Sequence, residues 1–414
     1  MSINTSWKVE IGLLASKTNF TSRVMSLSVD QSVDVNVVGR GQCTITLLNK
    51  DGALTPGGGG TYSSSDWFAM GVFVTALTNT GGADTETAVF HGVVTDFDLV
   101  DHGVFSTVTI TALDGLSVIG KTPSANFSFS TNYWTVYFGL LAGFATIQPL
   151  LGQISASAAL AIEGTGLGPL VSGTATAPTY ADYLQTYLVP SVNDVTWATI
   201  IYLNLSTTTY KVVSLGPNIT RDTANRNDFE FDPPASLSGS KLPFSIDNFT
   251  QKFNNDELII QAEVKGINAG LTTQTSTAST LSNYGNRTVA YTSTVAASNA
   301  DALNLATNLT NRYSNVKFVP ASLEVSAKQI KNYAADAAHE KWRKLLGIET
   351  GLWQKCKITW TGSGAASQTK YSIIKGRSIN VTPDNTYVSL RLADWVNNHS
   401  FILDTDLLDQ DRLG

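Results

Sequence analysis

The chain is poor in charge. Asp, Glu, Lys and Arg make up 14% of its 414 residues, against about 25% in an ordinary soluble domain. Thr, Ser and Asn take their place, a polar surface that suits long β-strands and hydrogen-bonding interfaces. Acidic residues outnumber basic ones, 33 to 27, for a net charge of −6. No run of Lys and Arg with interleaved aromatics occurs, so the electrostatic footprint of a specific nucleic-acid binder is missing. Cysteine is scarce. Cys43 and Cys356 stand far apart, which excludes a disulfide framework and a zinc motif and predicts reduced, partly buried thiols. Long apolar runs are lacking too. The most apolar stretch, 133–162, is interrupted by Gln148, Pro149 and Gln153, short of the ~20 clean residues of a membrane span. It reads as buried helices or a protein–protein contact. The start, "MSINTSWKVEIG", has neither a basic nor an apolar leader region, so no signal peptide is expected and folding in the cytosol is.

Catalytic signatures are also missing. There is no Gly-x-Ser-x-Gly elbow, phosphate loop, His-Glu-x-x-His or Cys-x-x-Cys. His91, His102, His339 and His399 stand apart from catalytic partners in sequence. The glycines at 57–60 lack the lysine and the strand-then-helix setting that phosphate binding needs. The reading is therefore a non-enzyme, with no catalytic residue, cofactor or metal site.

What is present is period-2 alternation, the signature of half-buried strands. "SWKVEIG" and "FTSRVMSLSVDQSVDV" alternate, and "GVFVTALT" reads as a further strand. "GQCTITLL" sets Cys43, Ile45 and Leu47 against Thr44 and Thr46. Between these strands, "NKDGALTPGGGGTYSSSDW" is loop. Later, "TWATIIYLN" and "TTYKVVSL" predict a hairpin, and Tyr180, Tyr183, Leu184 and Tyr187 line one face of a short helix. "GLTTQTSTASTLSNYGNR" reads as a long surface loop. The clearest helix is 298–313, with Ser298 and Asp301 approximating a capping box and Ala302, Leu305, Ala306, Leu309 and Tyr313 on its apolar face. "AHEKWRKLLGI" is a short amphipathic segment, and "TKYSIIKGRSINVTPDNTYVSLRLADW" predicts a strand, a Pro-Asp-Asn turn and a strand. The expected fold class is mainly β with a few short helices, an α+β multi-domain chain. Its segments are β-rich 1–120, mixed helical and β 121–235, α+β 236–320, and β-rich 321–414 with an extended acidic tail.

One stretch invites a chemical reading. "HGVVTDFDLVDHGVFSTVTITALDGL" holds two histidines and Asp96, Asp98, Asp101 and Asp114. Alternation puts Asp96 and Asp98 side by side, where two carboxylates could raise one another's pKa or bind a hard cation. Turn chemistry explains Asp101-His102-Gly103 as a hairpin tip, and the return strand alternates Val108, Ile110 and Ala112 against threonines. Scaffold is the stronger reading. Tryptophans such as Trp353 and Trp360 sit in strand-like runs and read as core, although exposed aromatics could instead form a sugar-binding face.

Three phrases in order carry a resemblance. "TVTITALDGL" closes the hairpin at 107–116, "YGNR" precedes the Ala-rich helix ending in Arg312-Tyr313, and "GRSINVTP" at 376–383 is followed by "FILD" at 401–404. In this the chain resembles minor tail proteins of long-tailed bacteriophages, the tail-tip or baseplate hub proteins. The resemblance covers most of the chain and is weakest over 121–235. It implies a structural protein of the virion tail, assembled in the host cytoplasm. It implies a homotrimer whose subunits each carry two small β-barrel-like domains, here 1–120 and 321–414. Three subunits would then face the sixfold tail tube as a pseudo-sixfold ring, joining tail-tube and distal tail proteins and passing DNA without binding it specifically. The hairpins 89–113 and 372–392 are expected to be related. The tail residues Phe401, Leu403 and Asp404 are expected to contact a partner. The alternatives are a carbohydrate-binding adhesion protein of the tail tip and a cell-wall hydrolase, the latter lacking any catalytic dyad.

Overall fold

The computed structural model describes residues 5–114 and 229–394, together with four short strands between these spans. Within the two spans it leaves out 14, 35–36, 63–65, 80–83, 254–257, 267–268, 280–284, 294–295, 297, 315–317, 334–335, 349, 353 and 363–365. The first span is seven strands: β1 (Thr5–Leu13), β2 (Ser16–Asn19), β3 (Val24–Asp34), β4 (Val37–Asn49), β5 (Gly71–Asn79), β6 (Asp84–Asp101) and β7 (Ser106–Asp114). They pair antiparallel in the order β2-β1-β5-β6-β7-β4-β3. The four intervening strands are β8 (Phe127–Phe129), β9 (Gly173–Ala175), β10 (Ala198–Asn204) and β11 (Thr209–Leu215). They pair as β8–β9 and β10–β11, the second being the hairpin that the sequence predicts. The apolar stretch 133–162 and the helix expected around Tyr180–Tyr187 lie outside the described residues.

The second span holds β12 (Phe229–Asp232), β13 (Leu242–Pro243), β14 (Thr250–Phe253), β15 (Gln261–Gly266), β16 (Gln274–Thr277) and β17 (Thr288–Ser293). After these come α1 (Asn299–Tyr313), β18 (Phe318–Ser326), α2 (Ala327–Tyr333), α3 (Asp336–Leu346), β19 (Lys355–Thr361), β20 (Ser367–Val381) and β21 (Thr386–Asp394). Seven of these strands run β13-β12-β19-β20-β21-β18-β14. They are drawn from both sides of residue 320, because β15–β17 and α1 are inserted between β14 and β18. That insertion has its own small core, where Ala302, Leu305, Ala306 and Leu309 of α1 pack on Ala262 and Val264 of β15. Its helix begins as the sequence predicts: the Ser298 hydroxyl accepts the Asp301 N–H at 3.2 Å, and the Asp301 carboxylate accepts the Ser298 N–H at 3.0 Å.

Placed in chain order, the two seven-strand sets have the same spatial order. β1 to β7 correspond in turn to β12, β13, β14, β18, β19, β20 and β21. Four of the six pairings in each set agree in sense as well; the two that involve β12 are parallel where those of β1 are antiparallel. The sets join where the outer half of β20 pairs with β3, Gly376 opposite Ser32 through Val381 opposite Leu27. One 14-stranded ladder therefore runs through both, and strand pairing among the described residues closes neither set into a barrel. The second set does curl: the Ser245 N–H, just past β13, reaches the Glu324 carbonyl on β18 at 3.0 Å. One core underlies the whole ladder, from Val9 and Ile45 to Trp342, Ile358 and Leu390. The mainly-β class with few short helices holds. Two local expectations fail: the polar composition of 221–240 suggests a linker, yet it contains β12 with Phe229 and Phe231 fully buried, and the Thr/Ser-rich stretch read as loop contains β16, paired to β15.

Candidate assembly surface

The hairpin at 89–113 has a twin. β6 and β7 pair Val94 with Ala112, Asp96 with Thr111, and Asp101 with Ser106. Adding 280 to each number gives the pairs of β20 and β21: Ile374 with Leu392, Gly376 with Arg391, and Val381 with Thr386. The register shift falls at the same place, between Val94 and Asp96 and between Ile374 and Gly376. A bulge inserts one unpaired residue and re-aims all that follow, so its shared position fixes which face each later side chain takes.

The aspartates of the first hairpin are scaffold. Gly103 turns the tip at φ 82, a left-handed conformation that a side chain resists, and its N–H donates to the Asp101 carboxylate at 2.8 Å. Asp96 accepts the N–H of Phe97 at 2.9 Å. Asp114 is buried and takes the Gly41 N–H at 2.5 Å, tying β7 to β4. Among the described residues no group of three or more His, Cys, Asp or Glu side chains could hold a metal. His91 is buried and stacks on Phe73 with ring centroids 4.1 Å apart. Burial, with the Lys17 charge adding to it, pushes its pKa down to about 3, so the ring is neutral. His102 sits at the exposed tip, 3.1 Å from the Thr107 hydroxyl. His339 is buried in α3. Cys43 and Cys356 are free and buried, and burial pushes the Cys43 thiol up. Trp67, Trp342 and Trp360 are core, which removes them from any sugar-binding face, and Trp353 lies outside the described residues. No helix among the described residues is long and apolar enough to cross a membrane. Phe401, Leu403 and Asp404 lie outside the described residues.

Alternation gives the ladder two unlike faces. Leu27, Val29, Ile45, Leu47, Val108, Ile110, Leu323, Val325, Ile379, Val388 and Leu390 all point into the core. The other face carries Ser28, Asp30, Thr44, Thr46, Thr109, Thr111, Asp96, Asp98, Ser378, Asn380, Ser389 and Glu324. Arg391 lies on it too, 2.7 Å from Asp30 across the β20–β3 junction. This polar, carboxylate-bearing face runs across both sets.

The junction itself is locked by one residue that sequence reasoning missed. Arg377 is fully buried. Its guanidinium donates to the Gln31 amide oxygen at 2.9 and 2.6 Å, to the Leu345 carbonyl at 2.6 Å and to the Gly347 carbonyl at 2.7 Å. A fork of five donors can fill such a carbonyl-lined slot where lysine cannot. Gly351 leaves room for it, since a Cβ there would meet the guanidinium. Burial lowers the Arg377 pKa to about 9, which still leaves it charged at neutral pH. The signal was legible: Arg377 is in phase with Ile379 and Val381, on the inward side of an alternating strand.

No protein-family model matches the chain, and no curated protein matches it. Solved structures do. The tail protein from Neisseria meningitidis MC58 aligns at a TM-score of 0.55 with 8% identity, over 94% of this chain and 96% of that one. The 43 kDa tail protein of prophage MuSo2 from Shewanella oneidensis aligns at 0.50 with 9% identity, over 94% and 98%. At such identities the likeness is one of fold, and it spans nearly the full length of all three chains. The sequence phrases and the strand architecture thus point the same way: this chain has the fold of bacteriophage tail proteins.

Proposed function

We propose that the chain is a structural, non-enzymatic hub of a phage tail tip, a ring that joins the tail tube to the distal tip or baseplate and lets DNA pass during ejection. The observation that carries this reading is the internal repeat, two seven-strand sets with hairpins of identical register. Three copies would offer six equivalent sets to a sixfold tube. The polar face would line the passage. Asp30, Asp96, Asp98 and Glu324 on it, and a net charge of −6, repel phosphates and keep DNA from sticking. Its partners would be two further copies of itself, the tail-tube and distal tail proteins and other tail-tip proteins. The tail at Phe401, Leu403 and Asp404 would dock on one of them. The virion is its place, after assembly in the host cytoplasm.

The test is co-assembly. Purified chain mixed with its tail-tube protein and viewed by electron microscopy should cap tubes with a threefold ring. Tubes left bare at micromolar concentrations of both proteins would refute the hub.

A further inference from the structure

The end of α3 and the turn after it touch both strand sets at once. Leu345 and Gly347 give their carbonyls to Arg377 of β20, at 2.6 and 2.7 Å. The next residue, Ile348, donates its N–H to the Ala88 carbonyl of β6 at 3.0 Å. The helix is also pinned to the first set by Trp342, whose indole N–H donates to the Thr5 hydroxyl at 3.0 Å. The lock of the β3–β20 junction and the contact with β6 therefore share one short piece of chain.

Beside that contact lies a water-sized cavity, lined by Phe73, Ala88, Phe90 and His91 of the first set and by Ile348. His91 stacks on Phe73 with ring centroids 4.1 Å apart, and the Lys17 ammonium lies 4.1 Å from the same Phe73 centroid. Two groups at that distance cannot share one face of a phenyl ring, so Phe73 lies between the cation and the imidazole. A proton on His91 would add a second buried cation on the other side of that ring. Lys17 is the charge that acts on His91, and it acts against protonation. Glu10, opposite Phe73 on β1, is held by Lys8 at 3.3 Å, and Glu86, on the same strand as His91, lies 3.8 Å from that lysine. Asp114, opposite Gly92 on β7, takes the Gly41 N–H. On α3, Glu340 is held by Arg343 and Lys344 at 3.1 Å each. His339 is buried in α3, and Glu349 lies outside the described residues.

We propose that the turn after α3 is an acid-released latch between the two strand sets, tripped by a proton on His91. The cavity gives the direction, because it is where the ring has room to turn. The charged imidazole moves through it towards water, displaces Ile348 and breaks the bond to Ala88. The turn then leaves β6 and takes with it the carbonyls that hold Arg377, so the joint between the sets loosens before the core strands open. By linkage the coupling runs both ways: losing the Arg377 slot must ease protonation of His91.

Hydrogen exchange of the full chain, corrected for intrinsic rates, tests this from about pH 7 down to about pH 4. The Ile348 and Gly351 amides, bonded to Ala88 and Gly347, should lose protection about tenfold before any strand does. β6 and then the β3–β20 junction should follow, while β4 and β7 stay closed. His91→Phe should remove the step, and His339→Gln and Glu349→Gln should keep it. In Arg377→Gln, with β4 and β7 still protected, the midpoint pH of the His91 ring signal in NMR should rise by about one unit, although Arg377 does not line the cavity. An Ile348 amide equally protected at both ends of the range would overturn the latch. So would a step that survives in His91→Phe or vanishes in His339→Gln or Glu349→Gln, or a His91 midpoint that Arg377→Gln leaves in place. Opening of β4 and β7 together with the turn would also overturn it, since the chain would then be unfolding as a whole.

Discussion

The two hairpins of this chain share register, bulge and tip length, yet the outer half of β20 is paired along its edge and that of β6 is not, among the described residues. Ile379 in β20 is fully buried, while Leu99 at the matching place in β6 is exposed. Arg377 is locked into a carbonyl slot, while its counterpart Phe97 only leans on Trp67, with ring centroids 5.2 Å apart. The difference lies in neither hairpin. It lies in β3, which lies against β20 and has no described equivalent against β6. Among the described residues the repeat satisfies this edge once and not a second time.

The sharpest way to break the comparison is at the covered junction. Arg377→Ala should destabilise the chain by about 3–5 kcal/mol in urea unfolding, because Gln31 and two carbonyls lose a buried charged donor together. A loss under 1 kcal/mol would show that the slot does not hold the two sets together. Acid should weaken the first set by a similar amount. His91 is buried, whereas its counterpart Tyr371 is exposed. The folded pKa of His91 is about 3 against the ordinary 6.5. The unfolded chain therefore takes up the proton first, and stability falls as pH drops from 6.5 towards 3, by about 3–5 kcal/mol in all. His91→Phe should abolish that slope, and hydrogen exchange at pH 4 should show β5 and β6 opening before β19 and β20.

Smaller effects refine the contrast. Ile379→Ala should cost about 2–4 kcal/mol, the usual range for a filled core site. Leu99→Ala should stay within about 0.5 kcal/mol in the monomer, as exposed substitutions do. Equal losses would mean that the two edges are equally covered. Ser298→Ala, in the inserted α1 and outside the repeat, should cost about 1 kcal/mol and leave assembly unchanged.

Much of the fold was legible. Alternation located β1, β3 and β4, an apolar run located β5, turn residues located both hairpin tips, and the capping box located α1. These signals are local, and each residue's partner lies within a few positions. The strand β16 was hidden because its Gln-Thr-Ser-Thr alternates no apolar residue, leaving composition to suggest loop. The repeat was expected from the two hairpins alone; its other five strands in each set were hidden, for a deeper reason. "GVVTDFDLVDH" and "SIIKGRSINVT" share no residue in phase, yet backbone hydrogen bonds fix the same bulge and register in both. Many side chains can satisfy one ladder. The β3–β20 junction joins residues more than 340 positions apart, such as Arg377 and Gln31, and nothing local announces it. The aspartates that first suggested a site are explained by turn chemistry and by a polar sheet face.

The central claim is that two equivalent strand sets per chain assemble head-to-tail into a ring. Electron cryomicroscopy of the purified chain tests it most directly. The account predicts rings of three copies in which adjacent sets, within and between chains, are related by nearly the same rotation, with the polar face inward. Rings in which copies meet through other surfaces, or particles that never exceed one chain, would contradict it.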